Sequence, residues 1–237
     1  MSHIDTIYRN MFVKPHPAGY PFICAALAFS IVFLLIWQPL GIFGLFLTAF
    51  IYYFFRDPNR MVPQREGLVV SPADGRVIAV KPNQSLPDDL TEEDDSETYT
   101  KISIFLSVLD AHVNRTPVGG EVIKTFYYEG KFLNAELDKA SEENERASAL
   151  VKLEDGKFIG FTQIAGLIAR RIITTLEVGS KLETGERFGL IRFGSRMDVY
   201  LPEGVNSLVC VGQRALAGET ILADLKSKEK TRMAKAI

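Results

Sequence analysis

From Pro17 to Phe55 the chain runs for 39 residues without a charge. One straight helix of that length would extend roughly 58 Å at about 1.5 Å per residue, whereas a bilayer core is about 30 Å thick. The run is too long for one crossing and long enough for two. Gln38-Pro39-Leu40-Gly41 interrupts it near the middle, where Pro and Gly suit a turn. The pattern therefore predicts a membrane hairpin with helices over 20–37 and 41–55. Tyr20, Trp37, Tyr52 and Tyr53 fall near the predicted ends, as aromatic belts do. Arg9 and Lys14 flank one end, Arg56 and Arg60 the other, and the connecting turn is uncharged. Two crossings with these flanks put both ends on the cytoplasmic side of the cell (inner) membrane. A hairpin that dips into one leaflet, or one buried in a soluble core, fits the same run. A secretory signal peptide, with its single apolar core, fits it less well.

Beyond Arg60 the pattern changes to short apolar runs separated by glycine. Leu68–Val70, Gly75–Val80, Thr100–Leu106, Val122–Tyr128, Phe158–Ile164, Arg170–Thr175 and Arg187–Ile191 read as strands. Many short strands with Gly-rich turns indicate a mainly β domain, a barrel or a sandwich. Residues 82–100 hold seven acids and no Lys or Arg, which predicts an exposed loop. The polar stretch 131–148 gives no clear period. Val211 to Ala223 echoes the Pro-Ala-Asp-Gly-Arg-Val segment around Asp74 and is similar to the hammerhead strands of biotinyl and lipoyl carriers. The expected fold is a barrel-sandwich-hybrid-like domain of related halves behind the N-terminal α-helical hairpin. No carrier lysine motif accompanies it. The tail from Lys226 carries five basic residues and one acid. It reads as a frayed polar end, or as a segment drawn to an anionic membrane at about 1 kcal/mol per basic residue.

Charge and composition narrow the chemistry. With 27 basic and 29 acidic residues there is no electrostatic reason to expect nucleic acid. Cys24 and Cys210, one in the apolar run and one in an expected strand, make neither a disulfide framework nor a metal site, so no metal is expected. Of three histidines, His112 alone lies away from the N-terminal region. It is the single credible general base of its type.

Three segments combine into a recognisable pattern: Ser71-Pro-Ala-Asp-Gly-Arg-Val77, Leu109-Asp-Ala-His-Val-Asn-Arg-Thr-Pro117, and Arg192-Phe-Gly-Ser-Arg-Met197. A further match runs through Phe132-Leu-Asn-Ala, Asp138-Lys-Ala-Ser and Asn144-Glu-Arg. Together they resemble the short form of the pyruvoyl-dependent phosphatidylserine decarboxylase family. The resemblance implies self-cleavage between Gly194 and Ser195 and conversion of Ser195 into a pyruvoyl cofactor. It also implies decarboxylation of phosphatidylserine to phosphatidylethanolamine. The layout would be 1–60 tail and hairpin, 61–194 the larger-chain part of the catalytic domain, and 195–237 the small chain that completes it. The two chains would stay together as a heterodimer; a homo-oligomer is left open. The resemblance gives Ser195, His112 and Asp74 catalytic roles, His112 as base and Asp74 as the carboxylate orienting it.

Longer family members read Asp-x-His-x-x-His-x-Pro; here Arg115 stands in place of the second histidine. Which residue takes the serine proton is open between His112 and Asp74. Arg115 cannot act as a base and instead suits a substrate carboxylate or phosphate. Two further readings of the chain are a non-enzymatic membrane-anchored adaptor and a decarboxylase of another serine-headgroup lipid. A serine hydrolase lacks support, since no Gly-x-Ser-x-Gly elbow surrounds Ser195.

Overall fold

A computed structural model describes residues 13–91, 97–130, 143–166, 171–192 and 194–235. Two compact units emerge, one comprising the N-terminal region to Asn59 with Val108–Val113, the other Arg60–Ser107 with Asn114 onward.

The first unit is built on two apolar helices, α1 (Tyr20–Ile36) and α2 (Gln38–Phe54). The break between them is a single extended residue, Trp37, with φ −151° and ψ 97°. The expected turn at Gln38–Gly41 is instead the first turn of α2. Pro39 sits there without cost, because the first helical N–H groups have no partner to lose. The helices pack through small residues. A Cβ on Gly41 would lie 2.4 Å from the Leu34 nitrogen, and Ser30 Oγ and Thr48 Oγ1 are 3.3 Å apart. Their outer ends meet where His16 N–H donates to Phe55 O (2.7 Å) and Asp57 N–H to Lys14 O (3.0 Å). Outward-facing apolar side chains remain bare, Leu35 being 86% and Phe46 72% exposed. The segment Pro17–Ile36, 20 residues long, is long and apolar enough to cross a membrane; Gln38–Phe54 is shorter.

The second unit is mainly β, as expected. Its strands are β1 (Leu68–Val70), β2 (Gly75–Gln84), β3 (Tyr99–Leu106), β4 (Val113–Arg115), β5 (Gly120–Tyr128), β6 (Arg146–Lys152), β7 (Phe158–Ala165), β8 (Ile172–Thr174), β9 (Lys181–Leu182), β10 (Arg187–Ile191), β11 (Ser195–Pro202), β12 (Arg214–Ala215) and β13 (Ile221–Asp224). Eight form one sheet in the order β12-β2-β3-β11-β7-β6-β5-β9; β4-β10-β8 and β1-β13 form two small sheets. The echoing segments lie side by side: Arg214 pairs with Arg76 and Ala215 with Gly75. Gly218 N–H donates to Ser71 O and Ser71 N–H to Thr220 O, both at 2.8 Å.

Strand β11 is central, paired antiparallel with β3 and β7, and all eight of its residues are buried. Met197, Val199 and Leu201 join the main core, while Tyr200 joins a second cluster with Leu86, Leu90, Tyr99 and Leu150. That second cluster corrects the expectation of an exposed acidic loop over 82–100. β2 continues to Gln84, Leu86 and Leu90 are buried, and Asp89 pairs with Arg146 at 3.2 Å. The two leucines anchor the segment against the outer face of the sheet despite its acids; residues 92–96 lie outside the described set. The 131–148 stretch resolves into β6 from Arg146, its alternation hidden by both faces being covered; 131–142 lie outside the described residues. Cys210 lies in a loop, not a strand, its Sγ bonded to Arg232 O at 3.0 Å. The tail is thus tied back to the 206–210 loop, where Asn206 Nδ2 also donates to Glu229 O (2.9 Å).

Candidate active site

Ser195 opens β11, opposite Leu106 on β3 and Ala165 on β7. It is fully buried, and its Oγ has no hydrogen-bond partner among the described residues. A buried hydroxyl without a partner costs about 1–3 kcal/mol, so its retention asks for a reason. Gly194 before it has φ +68°, and nothing lies within 4 Å of where its Cβ would be. The position therefore demands glycine through its backbone and not through crowding; an L side chain pays roughly 1–2 kcal/mol in this region. The Gly194 carbonyl accepts from Gly166 N–H at 3.0 Å. The carbonyl that a Ser195 attack would target thus already holds a fixed donor, the kind of group that stabilises a developing oxyanion.

The end of β7 that supplies this donor is itself fastened. Asn144 Nδ2 donates to Ala165 O (2.7 Å), Ala165 N–H donates to Glu145 O (2.9 Å), and Glu145 Oε1 accepts from Ile172 N–H (2.9 Å). Asn144 and Glu145 are both buried. Sequence reading did not assign them roles; the only signal was their place in the Asn144-Glu-Arg match. On the other face of β11, Arg196 and Asp198 form a two-pronged buried ion pair, with both contacts at 2.6 Å. It fixes the residues that follow Ser195.

Asp74 and Arg115 come together near Ala217-Gly218. Asp74 Oδ1 accepts from Ala217 N–H (2.8 Å) and Oδ2 from Arg60 Nη2 (2.6 Å). The space a Cβ at Gly218 would fill is bounded by Arg115 Cδ at 3.2 Å and Arg60 Cβ at 3.6 Å. Arg115 is buried and its Nη1 donates to Gly185 O at 2.8 Å. With Arg60, Gln64, Glu186 and Arg187 it lines a cleft of about 580 Å³.

His112 belongs to the helical unit. Its ring lies 4.1 Å from the Phe54 ring, centre to centre. Nδ1 is 2.9 Å from Asp110 O, and a carbonyl can only accept, so Nδ1 carries the proton and Nε2 the lone pair. Nε2 is buried with no partner among the described residues. Burial pulls the His112 pKa from 6.5 down to about 4, against the opposing pull of the Asp110 carbonyl and charge. At neutral pH the ring is an uncharged base. The Asp110 carbonyl, rather than a carboxylate, is what holds its Nδ1–H.

The chain resembles known proteins over most of its length. The family model for phosphatidylserine decarboxylase matches residues 47–223. A phosphatidylserine decarboxylase proenzyme of Cereibacter sphaeroides is 52% identical over 94% of this chain and 95% of its own length. One from Ruegeria pomeroyi is 52% identical over 92% and 99%, and one from Nitrobacter winogradskyi 51% over 90% and 85%.

Proposed function

Because the chain belongs to the phosphatidylserine decarboxylase family, we propose that it is a proenzyme that cleaves itself between Gly194 and Ser195 and then decarboxylates phosphatidylserine. The observation that carries this reading is the buried, unpartnered Ser195 hydroxyl directly after a left-handed Gly194 whose carbonyl is held by Gly166 N–H. Ser195 Oγ adds to the Gly194 carbonyl carbon, and negative charge builds on the oxygen facing Gly166 N–H. The C–N bond breaks, the serine nitrogen gains a proton, and the peptide becomes an ester. Loss of the residue 195 α-proton expels the Gly194 carboxylate and leaves a dehydroalanine, which water converts to a ketone and ammonia.

The buried position of residue 195 suits a small uncharged group, since the hydroxyl already there has no partner among the described residues. The pyruvoyl group formed from Ser195 supplies the electron sink that carboxylate loss requires. Family resemblance assigns the base to His112, whose neutral Nε2 can accept or return a proton. The same resemblance gives Asp74 a catalytic role; its carboxylate is held by Arg60 and by Ala217 N–H, while the His112 Nδ1–H is held by the Asp110 carbonyl. Arg115 faces a cleft suited to a headgroup carboxylate or phosphate. The apolar helices would hold the enzyme at the inner membrane, with the β domain on the cytoplasmic side, so that acyl chains need not leave the lipid.

The test uses detergent-purified protein and vesicles containing phosphatidylserine or phosphatidylcholine. Release of CO2 with appearance of the ethanolamine lipid only from phosphatidylserine, and none from the Ser195→Ala variant, is the expected result. Equal rates for the Ser195→Ala variant would overturn the reading.

A further inference from the structure

Gln163, on the same core face as Ser195, and its partner Asn114 on β4 have unused hydrogen-bonding groups. Gln163 lies on β7 opposite Met197, and Ala165 two residues on lies opposite Ser195. Since side chains alternate along a strand, Gln163 and Ser195 are diagonal neighbours on one face, about 7–8 Å apart at the backbone and within reach of a glutamine side chain. Gln163 spans the core to the small sheet, where Nε2 donates to Asn114 Oδ1 on β4 (2.8 Å) and approaches Ile173 O on β8 (3.4 Å). Asn114 is fully buried and Gln163 is 1% exposed. Among the described residues, Gln163 Oε1 and Asn114 Nδ2 have no partner, like Ser195 Oγ. A buried amide pair that served packing alone would satisfy its own groups or be replaced by apolar side chains at little loss.

We infer that the Asn114–Gln163 pair is a positioning device for self-cleavage, in which Gln163 Oε1 accepts the Ser195 O–H and so turns an oxygen lone pair toward the Gly194 carbonyl carbon. The bond from Gln163 Nε2 to Asn114 Oδ1 fixes which end of the glutamine amide points away from Asn114. An amide oxygen is too weak a base to keep the proton. It orients the hydroxyl, and the proton passes to the departing serine nitrogen as the C–N bond breaks. The inference rests on the scission reading above.

The experiment follows scission of the full chain in cell-free pulse–chase synthesis, read by gel as uncut and cut protein, with melting temperature measured in parallel. Gln163→Met keeps the length and removes the acceptor; it should slow scission at least tenfold. Gln163→Glu restores an acceptor, and Asn114 can flip to donate to it. In either protonation state it keeps an oxygen that can accept the Ser195 O–H, so it should recover most of the scission lost in the Met variant. Thr162→Val, on the opposite face of the same strand, should cost stability without slowing scission. Scission of the Met variant within threefold of the parent would overturn the inference. So would a Glu variant as slow as the Met variant at every pH, or slowing that tracks melting temperature alone as in Thr162→Val. If the Met variant does not fold, the Glu variant decides: folded yet cut at least tenfold more slowly than the parent at every pH, it overturns the inference. An uncut parent chain would instead defeat the scission reading itself.

Discussion

At the residue scale, the account turns on a glycine that must be left-handed and a hydroxyl with no partner. Gly194→Ala leaves space unchanged but disfavours φ +68°, by about 1–2 kcal/mol. The attack geometry should then be populated roughly 5- to 30-fold less. Pulse–chase kinetics should show scission slowed by that order, and an unchanged rate would count against the backbone argument. His112 gives a pH test. Its folded pKa of about 4 lies below the ordinary 6.5, so the unfolded chain binds a proton at higher pH than the folded one does. Stability from this group is complete above pH 6.5 and is lost as pH falls toward 4, by about 3 kcal/mol in all. Denaturant titrations of parent and His112→Gln proteins between pH 7 and 4 should differ by that trend. If His112 is the base, scission should stay level through pH 6.5 and fall only nearer pH 4; a drop centred on 6.5 would show a histidine in its ordinary state. Ser195, Asp74, His112 and Arg115 could be proposed from the sequence because each sits in a local motif. Gly166, Asn144 and Gln163 were not, because their relation to Ser195 exists only in the register of β7 against β11.

At the scale of elements, β11 carries the site because both of its faces are covered. The Arg196–Asp198 pair is the costly part of that cover, since breaking a buried ion pair leaves one charge without its partner. Asp198→Ala should destabilise the protein by about 3–5 kcal/mol, read as a shift in denaturant midpoint. A loss under about 1 kcal/mol would mean the pair is solvated or replaceable. β11 itself escaped the sequence reading because Arg196 and Asp198 break the apolar run that marks a buried strand. The helical hairpin shows the reverse. Its apolar length was plain, while its break was misplaced because Pro39 both ends a run and starts a helix. Gly41→Leu should force α1 and α2 apart, since even a Cβ would meet Leu34 backbone at 2.4 Å. A lower melting temperature in detergent is expected, from about 1–3 kcal/mol of overpacking.

At the scale of the whole molecule, scission at residue 195 would separate a chain whose strands are shared. The small chain contributes β11 between β3 and β7, β12 beside β2, and β13 beside β1. Each of its strands pairs with one from the larger chain, so cleavage removes one peptide bond and no ladder. The two chains should elute together in non-denaturing detergent buffer and part only in denaturant. A mainly β fold with related halves was foreseeable from the echo between Ser71–Val77 and Val211–Ala223; that these two segments pair with each other was not, because about 140 residues of chain separate them and only the assembled sheet brings them together. The most direct test of the central claim is the intact mass of the purified protein under denaturing conditions. The account predicts two chains, the smaller beginning at residue 195 and lighter by one ammonia than simple hydrolysis would leave, and a single uncut chain for Ser195→Ala. One uncut parent chain that still decarboxylates the lipid, or a Ser195→Ala protein cut at the same place, would contradict it.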